Sequence, residues 1–265
     1  MKIAIGVFIQ LFSTVGVIFL FGFLIALLRR LFCSISGTAG PKILLATGFI
    51  GTPIHELSHA LMCIVFGHKI RKIKLYDPNS TSGTLGYVDH SYNRKNLYHQ
   101  IGNFFIGIAP LLFGAFLIVL LMYLLVPSVF LSVTRVAVDL SLESAFPIGE
   151  FFGFFGSAIM AIFCSLVSLE GWIFVLLAIL IASHMEMSGS DMKSGLWGLL
   201  FILLIYIPIS VTVGIVSPTG FDSLTRALAS FGILFSSLLS ISVIFLLFLV
   251  VTALIIKIIV SAFKK

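Results

Sequence analysis

Residues 3–28 carry no charged side chain. As an α-helix that stretch would be about 39 Å long at 1.5 Å per residue, more than the ~30 Å of hydrocarbon in a bilayer. Comparable apolar runs follow at 43–67, 98–126, 151–183, 195–217 and 229–262. In lipid every backbone polar group must be satisfied internally, so such runs predict helices. The expected fold is an all-α polytopic membrane protein with about six transmembrane helices, forming a single integral membrane domain over 1–265. Composition enters here as a check. Apolar residues make up 60% and charged residues 10%, against roughly 25% charged in soluble domains. Too few polar side chains exist to cover a soluble globule, and the same counts exclude a disordered chain, a disulfide scaffold and a coiled coil.

The first run ends at Arg29-Arg30. It is too long for a signal-peptide core and lacks a small-x-small cleavage site, so an uncleaved span is expected. The run 151–183 is broken by Ser168-Leu169-Glu170-Gly171. It reads either as one span preceded by an interfacial or re-entrant helix, or as two short spans. Charge arbitrates topology. With six spans and the N-terminus inside, the inner side collects Lys2, Lys69, Arg71, Lys72, Lys74, Arg94, Lys95, Lys193, Lys257, Lys264 and Lys265. The outer side collects Arg29, Arg30, Lys42, Arg135 and Arg226. That is 11 against 5, the direction favoured by the positive-inside rule. The net charge of +6 is thus a topology signal. No basic cluster is interleaved with aromatics as a nucleic-acid surface would need, so no nucleic acid is expected as a partner. The expected location is the plasma membrane. Cys33, Cys63 and Cys164 stand apart without a CxxC and read as buried small hydrophobes.

The polar segment 68–97 carries a strand signal. Apolar and basic residues alternate from Lys72 in Ile70–Tyr76, Asp77-Pro78-Asn79-Ser80-Thr81-Ser82-Gly83 is dense in turn formers, and Thr84–Val88 can return as a second strand. A small β-hairpin after the second span and an irregular cytosolic loop both fit. His68, His90 and His99 read as solvated or headgroup-facing.

The chemistry sits in the second run, at His55-Glu56-Leu57-Ser58-His59, an HExxH. On a helix, residues i and i+4 share a face about 6 Å apart along the axis, so the two imidazoles can grip one Zn²⁺. Glu56 points about 100° away, where it reaches a water at the metal rather than the metal itself. An ionisable group at mid-membrane costs about 2.5–3.5 kcal/mol. Three such groups within five residues, flanked by Ile43–Gly51 and Ala60–Phe66, need a compensating partner, and a metal supplies one. His59 lies about 14 Å of helix before His68. Lys42 lies about 20 Å before His55 if all of it is helical. Pro53 can kink that helix or start it afresh.

HELSH in a hydrophobic helix, Gly67-His68 at its exit, the hairpin-like loop and the next span together resemble the site-2 protease family of intramembrane zinc metalloproteases. The resemblance covers roughly residues 43–126, and the metalloprotease-like core would extend over about 43–217. It implies a helical membrane core, one zinc ion and a membrane-embedded peptide substrate. His55 and His59 match the family's zinc ligands and Glu56 its catalytic base. The family takes a third ligand, an aspartate, from a later span. The nearest match here is Met187–Gly195, which makes Asp191 the leading candidate, with His184 the rival and Glu186 a weaker one. Ser188, Gly189 and Ser190 mark a helix break that would put Asp191 near the start of the next helix. Asp191 then looks interfacial while the HExxH looks deeper, so the chain must dip there. Asn103 matches an asparagine of the family's next span. It would bind the scissile backbone or the oxyanion, or else it hydrogen-bonds across helices.

The sequence therefore reads as a zinc-dependent intramembrane endopeptidase. The alternatives are a non-hydrolytic metal-binding membrane protein (a transporter or sensor) and a structural protein with an accidental HExxH. The implied partners are a membrane-embedded peptide or protein substrate, the lipid bilayer and a regulatory partner chain. An exposed hairpin edge beside the metal would pair with an unwound substrate strand.

Overall fold

The computed structural model describes residues 1–80, 84–142 and 148–263. Lys264 and Lys265 of the charge tally, and Thr81–Gly83 of the expected turn, lie outside them. The chain is helical apart from one two-stranded sheet. In order it runs α1 (Lys2–Leu11), α2 (Val17–Ser36), α3 (Ala39–Val65), β1 (Lys69–Lys74), β2 (Tyr87–Ser91), α4 (Leu97–Leu125), α5 (Pro127–Ser141), α6 (Ile148–Ser165), α7 (Leu169–Ala182), α8 (Gly189–Val216) and α9 (Pro218–Phe263). A π-helical turn over Phe12–Gly16 joins α1 to α2 without a break. It presents the backbone of Ser13 to Gly232 of α9 at a distance that leaves no room for a Cβ.

The sequence predicts about six spans. Among the described residues, four helical stretches are long and apolar enough to cross a membrane: Lys2–Ser36, Leu97–Leu125, Gly189–Val216 and Pro218–Phe263. The physical reasons for the difference are local. The run 151–183 folds as two shorter helices separated at 166–168, where Ser168 caps α7 by accepting a hydrogen bond from the Gly171 amide. At 14 residues, α7 is only about 21 Å long. The HExxH helix α3 has the length, 27 residues, but its polar centre makes it the least apolar of the long helices. A further helix, α5, occupies 127–141, where the sequence shows only mixed character. Its buried Val129, Val133, Ala137 and Leu140 recur every three to four residues, the stripe of an amphipathic helix.

α4 is the central helix and packs on α3, α5, α7, α8 and α9. The main core joins Phe21 and Ile25 of α2, Leu111 and Ile118 of α4, Val133 of α5, Phe174 of α7 and Leu239 and Phe245 of α9. Away from it, Gln10 is fully buried and ties three helices. Its amide nitrogen donates to Thr225 at 2.7 Å, and its oxygen accepts from Tyr206 at 2.7 Å and Ser210 at 2.6 Å. An unpaired amide in hydrocarbon is costly, so this arrangement fixes how α1, α8 and α9 meet.

The sheet is an antiparallel hairpin, so the hairpin reading holds with one shift. β2 covers Tyr87–Ser91 rather than 84–88, and Lys74 faces Tyr87 while Lys69 faces Ser91, with an irregularity between Ile70 and Lys72. The segment Thr84–Gly86 is irregular and turns back over α3. α3 does not start afresh at Pro53 but runs continuously through it.

The crossing of α4 and α8 brings α8's first turn to α3. A Cβ on Gly107 would lie 2.6 Å from the carbonyl oxygen of Asp191, and a Cβ on Gly198 would strike the Phe104 backbone. Gly107→Val is therefore expected to force the helices apart and to lower the thermal midpoint of the detergent-solubilised protein, with an overpacking cost of about 1–3 kcal/mol. An unchanged midpoint would mean that the crossing does not depend on this contact.

Candidate metal centre

α3 delivers His55 and His59 one turn apart, and α8 delivers Asp191 from its first turn. The three ligand atoms of these residues converge. His55 Nε2 and His59 Nε2 are 3.1 Å apart, and Asp191 Oδ2 lies 3.5 Å from the second and 3.9 Å from the first. Hydrogen bonds on the far sides of the rings decide which atoms face inward. His55 Nδ1 is 2.7 Å from the carbonyl oxygen of His184, and His59 Nδ1 is 2.8 Å from that of Ile106. A carbonyl oxygen only accepts, so each Nδ1 carries the hydrogen and each neutral ring turns a bare Nε2 lone pair to the centre.

Two bare nitrogens and a carboxylate oxygen thus face one another with no donor between them. One proton can bridge two of the three; a divalent cation satisfies all three. The separations fit one. Ligand bonds of about 2.0–2.1 Å in a tetrahedron give edges of about 3.3 Å, close to those observed. The set comprises three protein ligands, which leaves a fourth position for water or substrate.

Asp191 is fixed in place by the start of its own helix. Ser188 is the N-cap of α8 and forms a capping box with it. The Ser188 amide and hydroxyl donate to Asp191 Oδ2 at 2.9 and 2.5 Å, and the Asp191 amide returns a bond to the Ser188 hydroxyl at 3.2 Å. The positive end of the helix dipole favours a carboxylate there. The connector 183–188 leads Asp191 to the two histidines. Ser183, His184, Met185 and Met187 are all buried. His184 Nε2 lies 3.1 Å from the Leu44 carbonyl oxygen, a hydrogen bond that draws the connector against α3. Irregular backbone at membrane depth is tolerated where protein buries it.

The structure does not bring every candidate to the centre. His184 contributes its carbonyl, not its imidazole. Glu186 forms an ion pair with Arg29 of α2. Asn103 is buried in α4 but does not border the cavity around the triad; its amide nitrogen points to Gln100 Oε1 at 3.4 Å. Glu56 does border it, and its side chain is 6% exposed. A cavity of about 180 Å³ lies over the triad, and a second of about 170 Å³ reaches from Glu56 past Thr52 to Arg29 and Glu186. Each has room for several waters at ~30 Å³ apiece.

Sequence reasoning passed over several residues here. Thr84 and Gly86 line both cavities. A Cβ on Gly86 would sit 2.8 Å from Glu56 Cγ and 2.9 Å from Thr52 Cγ2, so only glycine lets this backbone lie against the glutamate. The Ile106 and His184 carbonyls that orient the rings have no sequence signature. Ser188 did have one, the S-x-x-D spacing of a capping box. His68 is buried rather than solvated.

No family model matches the chain, and no curated protein or solved structure is significantly similar to it.

The geometry separates the candidate ligands by experiment. Asp191→Ala should cost the purified protein one equivalent of bound metal per chain, while His184→Ala and Glu186→Ala retain it. Ser188→Ala should weaken metal affinity by about 10- to 100-fold, the usual effect of removing a group that orients a ligand. Metal titration monitored by elemental analysis decides. Full binding by Asp191→Ala would remove the carboxylate from the ligand set.

Proposed function

We propose that this chain is a zinc-dependent intramembrane endopeptidase that cleaves a membrane-embedded or membrane-proximal segment of a peptide or protein substrate. The observation that carries this reading is the convergence of two bare imidazole nitrogens and one carboxylate oxygen beside a buried glutamate that borders the same cavity. The donor set accepts zinc and also ferrous iron. The glutamate between the histidines favours hydrolysis, because binding alone does not need it.

A bound zinc ion would supply Lewis-acid polarisation of water and of the scissile carbonyl. The remaining steps belong to the chain's own groups. The Glu56 carboxylate accepts a proton from the attacking water, the water oxygen bonds to the carbonyl carbon, and the carbon–nitrogen bond then breaks. Glu56 returns the proton to the departing amine, so no net proton is consumed at the site. The Ile106 and His184 carbonyls keep both imidazoles in the ligating tautomer throughout.

A substrate helix hides its carbonyls in its own hydrogen bonds and must unwind before it is cut. The Thr84–Gly86 backbone lies against Glu56 and continues into β2. An extended substrate strand pairing along this segment would have its carbonyl within reach of the glutamate. Location in the plasma membrane with the N-terminus inside belongs to the same proposal and rests on the charge asymmetry of the loops.

Glu56→Gln tests the reading directly. It preserves size and hydrogen bonding but removes the base. Metal content should stay at the wild-type level while the cleavage rate of a membrane-embedded peptide library falls by about 10²–10⁴-fold. Wild-type protein that holds stoichiometric metal yet cleaves nothing in that library, indistinguishably from Glu56→Gln, would favour the non-hydrolytic metal binder.

A further inference from the structure

A second cluster of ligand-type side chains lies at the C-terminal end of α3, outside the triad. The helix ends in a Schellman motif. Gly67 adopts the left-handed conformation with φ of +69°, the His68 amide donates to the Cys63 carbonyl at 2.8 Å and the Gly67 amide to that of Ile64 at 3.2 Å. This closure folds His68 back over Cys63. β2 adds His90, which faces Ile70 across the hairpin. Cys63 Sγ and one nitrogen each of His68 and His90 then lie within 4.8 Å of one another.

One of the two rings is oriented as in the triad. His68 Nε2 is 3.0 Å from the carbonyl oxygen of His99 and so carries the hydrogen, which leaves Nδ1 bare in the neutral ring. That nitrogen is 3.1 Å from His90 Nδ1. Tyr92 stacks on His68 with ring centroids 4.8 Å apart and fixes its plane. Cys63 is fully buried, and the other cysteines, Cys33 and Cys164, are not part of the cluster.

We propose that Cys63, His68 and His90 form a second metal site for a borderline-soft divalent cation of the zinc class. One thiolate and two imidazoles suit zinc, while the absence of oxygen ligands from the set disfavours magnesium and calcium. The His68 Nδ1–His90 Nδ1 separation of 3.1 Å is close to the ~3.3 Å nitrogen–nitrogen edge of a tetrahedral zinc site. Cys63 gives up its thiol proton to solvent on binding. The ion pins β2 to the end of α3, and His90 also borders the cavity over the triad. Its role is to position the hairpin; it needs neither hydrolysis nor the triad.

Cobalt(II) exchanged into the full-length detergent-solubilised protein tests this, in a Cys33→Ser/Cys164→Ser background where Cys63 is the one thiol left. Two equivalents of cobalt per chain and a thiolate-to-cobalt charge-transfer band in the near ultraviolet are expected. His55→Ala/His59→Ala should keep the band with one equivalent, since the triad contains no sulfur. Cys63→Ser should lose the band. A band-free spectrum from the Cys63-containing protein, or cobalt that vanishes entirely with His55→Ala/His59→Ala, overturns the proposal and leaves a histidine–histidine hydrogen bond beside a free thiol. Because the band is read without any cleavage assay, failure of the peptidase reading leaves this result untouched.

Discussion

Mutual exposure of unprotonated acceptors is the constraint around which the rest of this molecule is arranged. His55 Nε2, His59 Nε2 and Asp191 Oδ2 lie 3.1–3.9 Å apart, and in a low-dielectric setting a shared proton or a cation between them relieves their repulsion. Such a cluster persists only if the surroundings over-determine it. Here they do so with two main-chain carbonyls, one from mid-α4 and one from the buried connector before α8, and with a capping serine. Main-chain anchors are hard to move without moving a helix, so the ligand geometry is as rigid as the packing of α3, α4 and α8.

That packing is achieved with missing side chains as much as with present ones. Gly107 and Gly198 let α4 and α8 touch backbone to backbone, and Gly86 lets the loop backbone rest on Glu56. Helix association in lipid gains little from hydrophobic burial, because the tails are as apolar as leucine; close backbone approach and interhelical hydrogen bonds replace it. The Gln10 network and the Gly107 contact are the two kinds of device at opposite ends of α8.

Much of this was legible in the residues themselves. The i, i+4 histidines and the glutamate between them announce their geometry through helix periodicity alone, and the S-x-x-D spacing places Asp191 in a first helical turn. The alternation after Lys72 marks one strand. What stayed hidden depended on tertiary context. Thr84–Val88 has strand-like composition, yet its first half is drawn onto Glu56 and pairing begins at Tyr87. The run 151–183 is apolar enough for a span but is cut by the Ser168 cap. α5 lies where polar and apolar residues mix in proportions that only its packed face explains. His184 looked like a ligand by type and acts through its carbonyl, a group every residue possesses. His68 looked like a loop histidine because the Schellman closure that buries it is a matter of backbone conformation.

The segment between Thr84 and His90 shows why a hairpin belongs beside such a centre. Its start is fixed by the contact of Gly86 with Glu56 and Thr52, and its end packs through His90 against His68. Both anchor points trace to one helix, since Thr52, Glu56 and Cys63 all lie in α3 and His68 closes its C-terminal cap. A strand edge tethered at both ends to the helix that carries the ligands cannot slide relative to them. Peptide hydrolysis needs the scissile carbonyl held within about an ångström of its productive position, and loops are ordinarily too mobile for that. Tethering the loop twice to the helix that carries the candidate ligands ties it to the scaffold, so that under the proposed function an incoming extended chain would be registered against a metal held there.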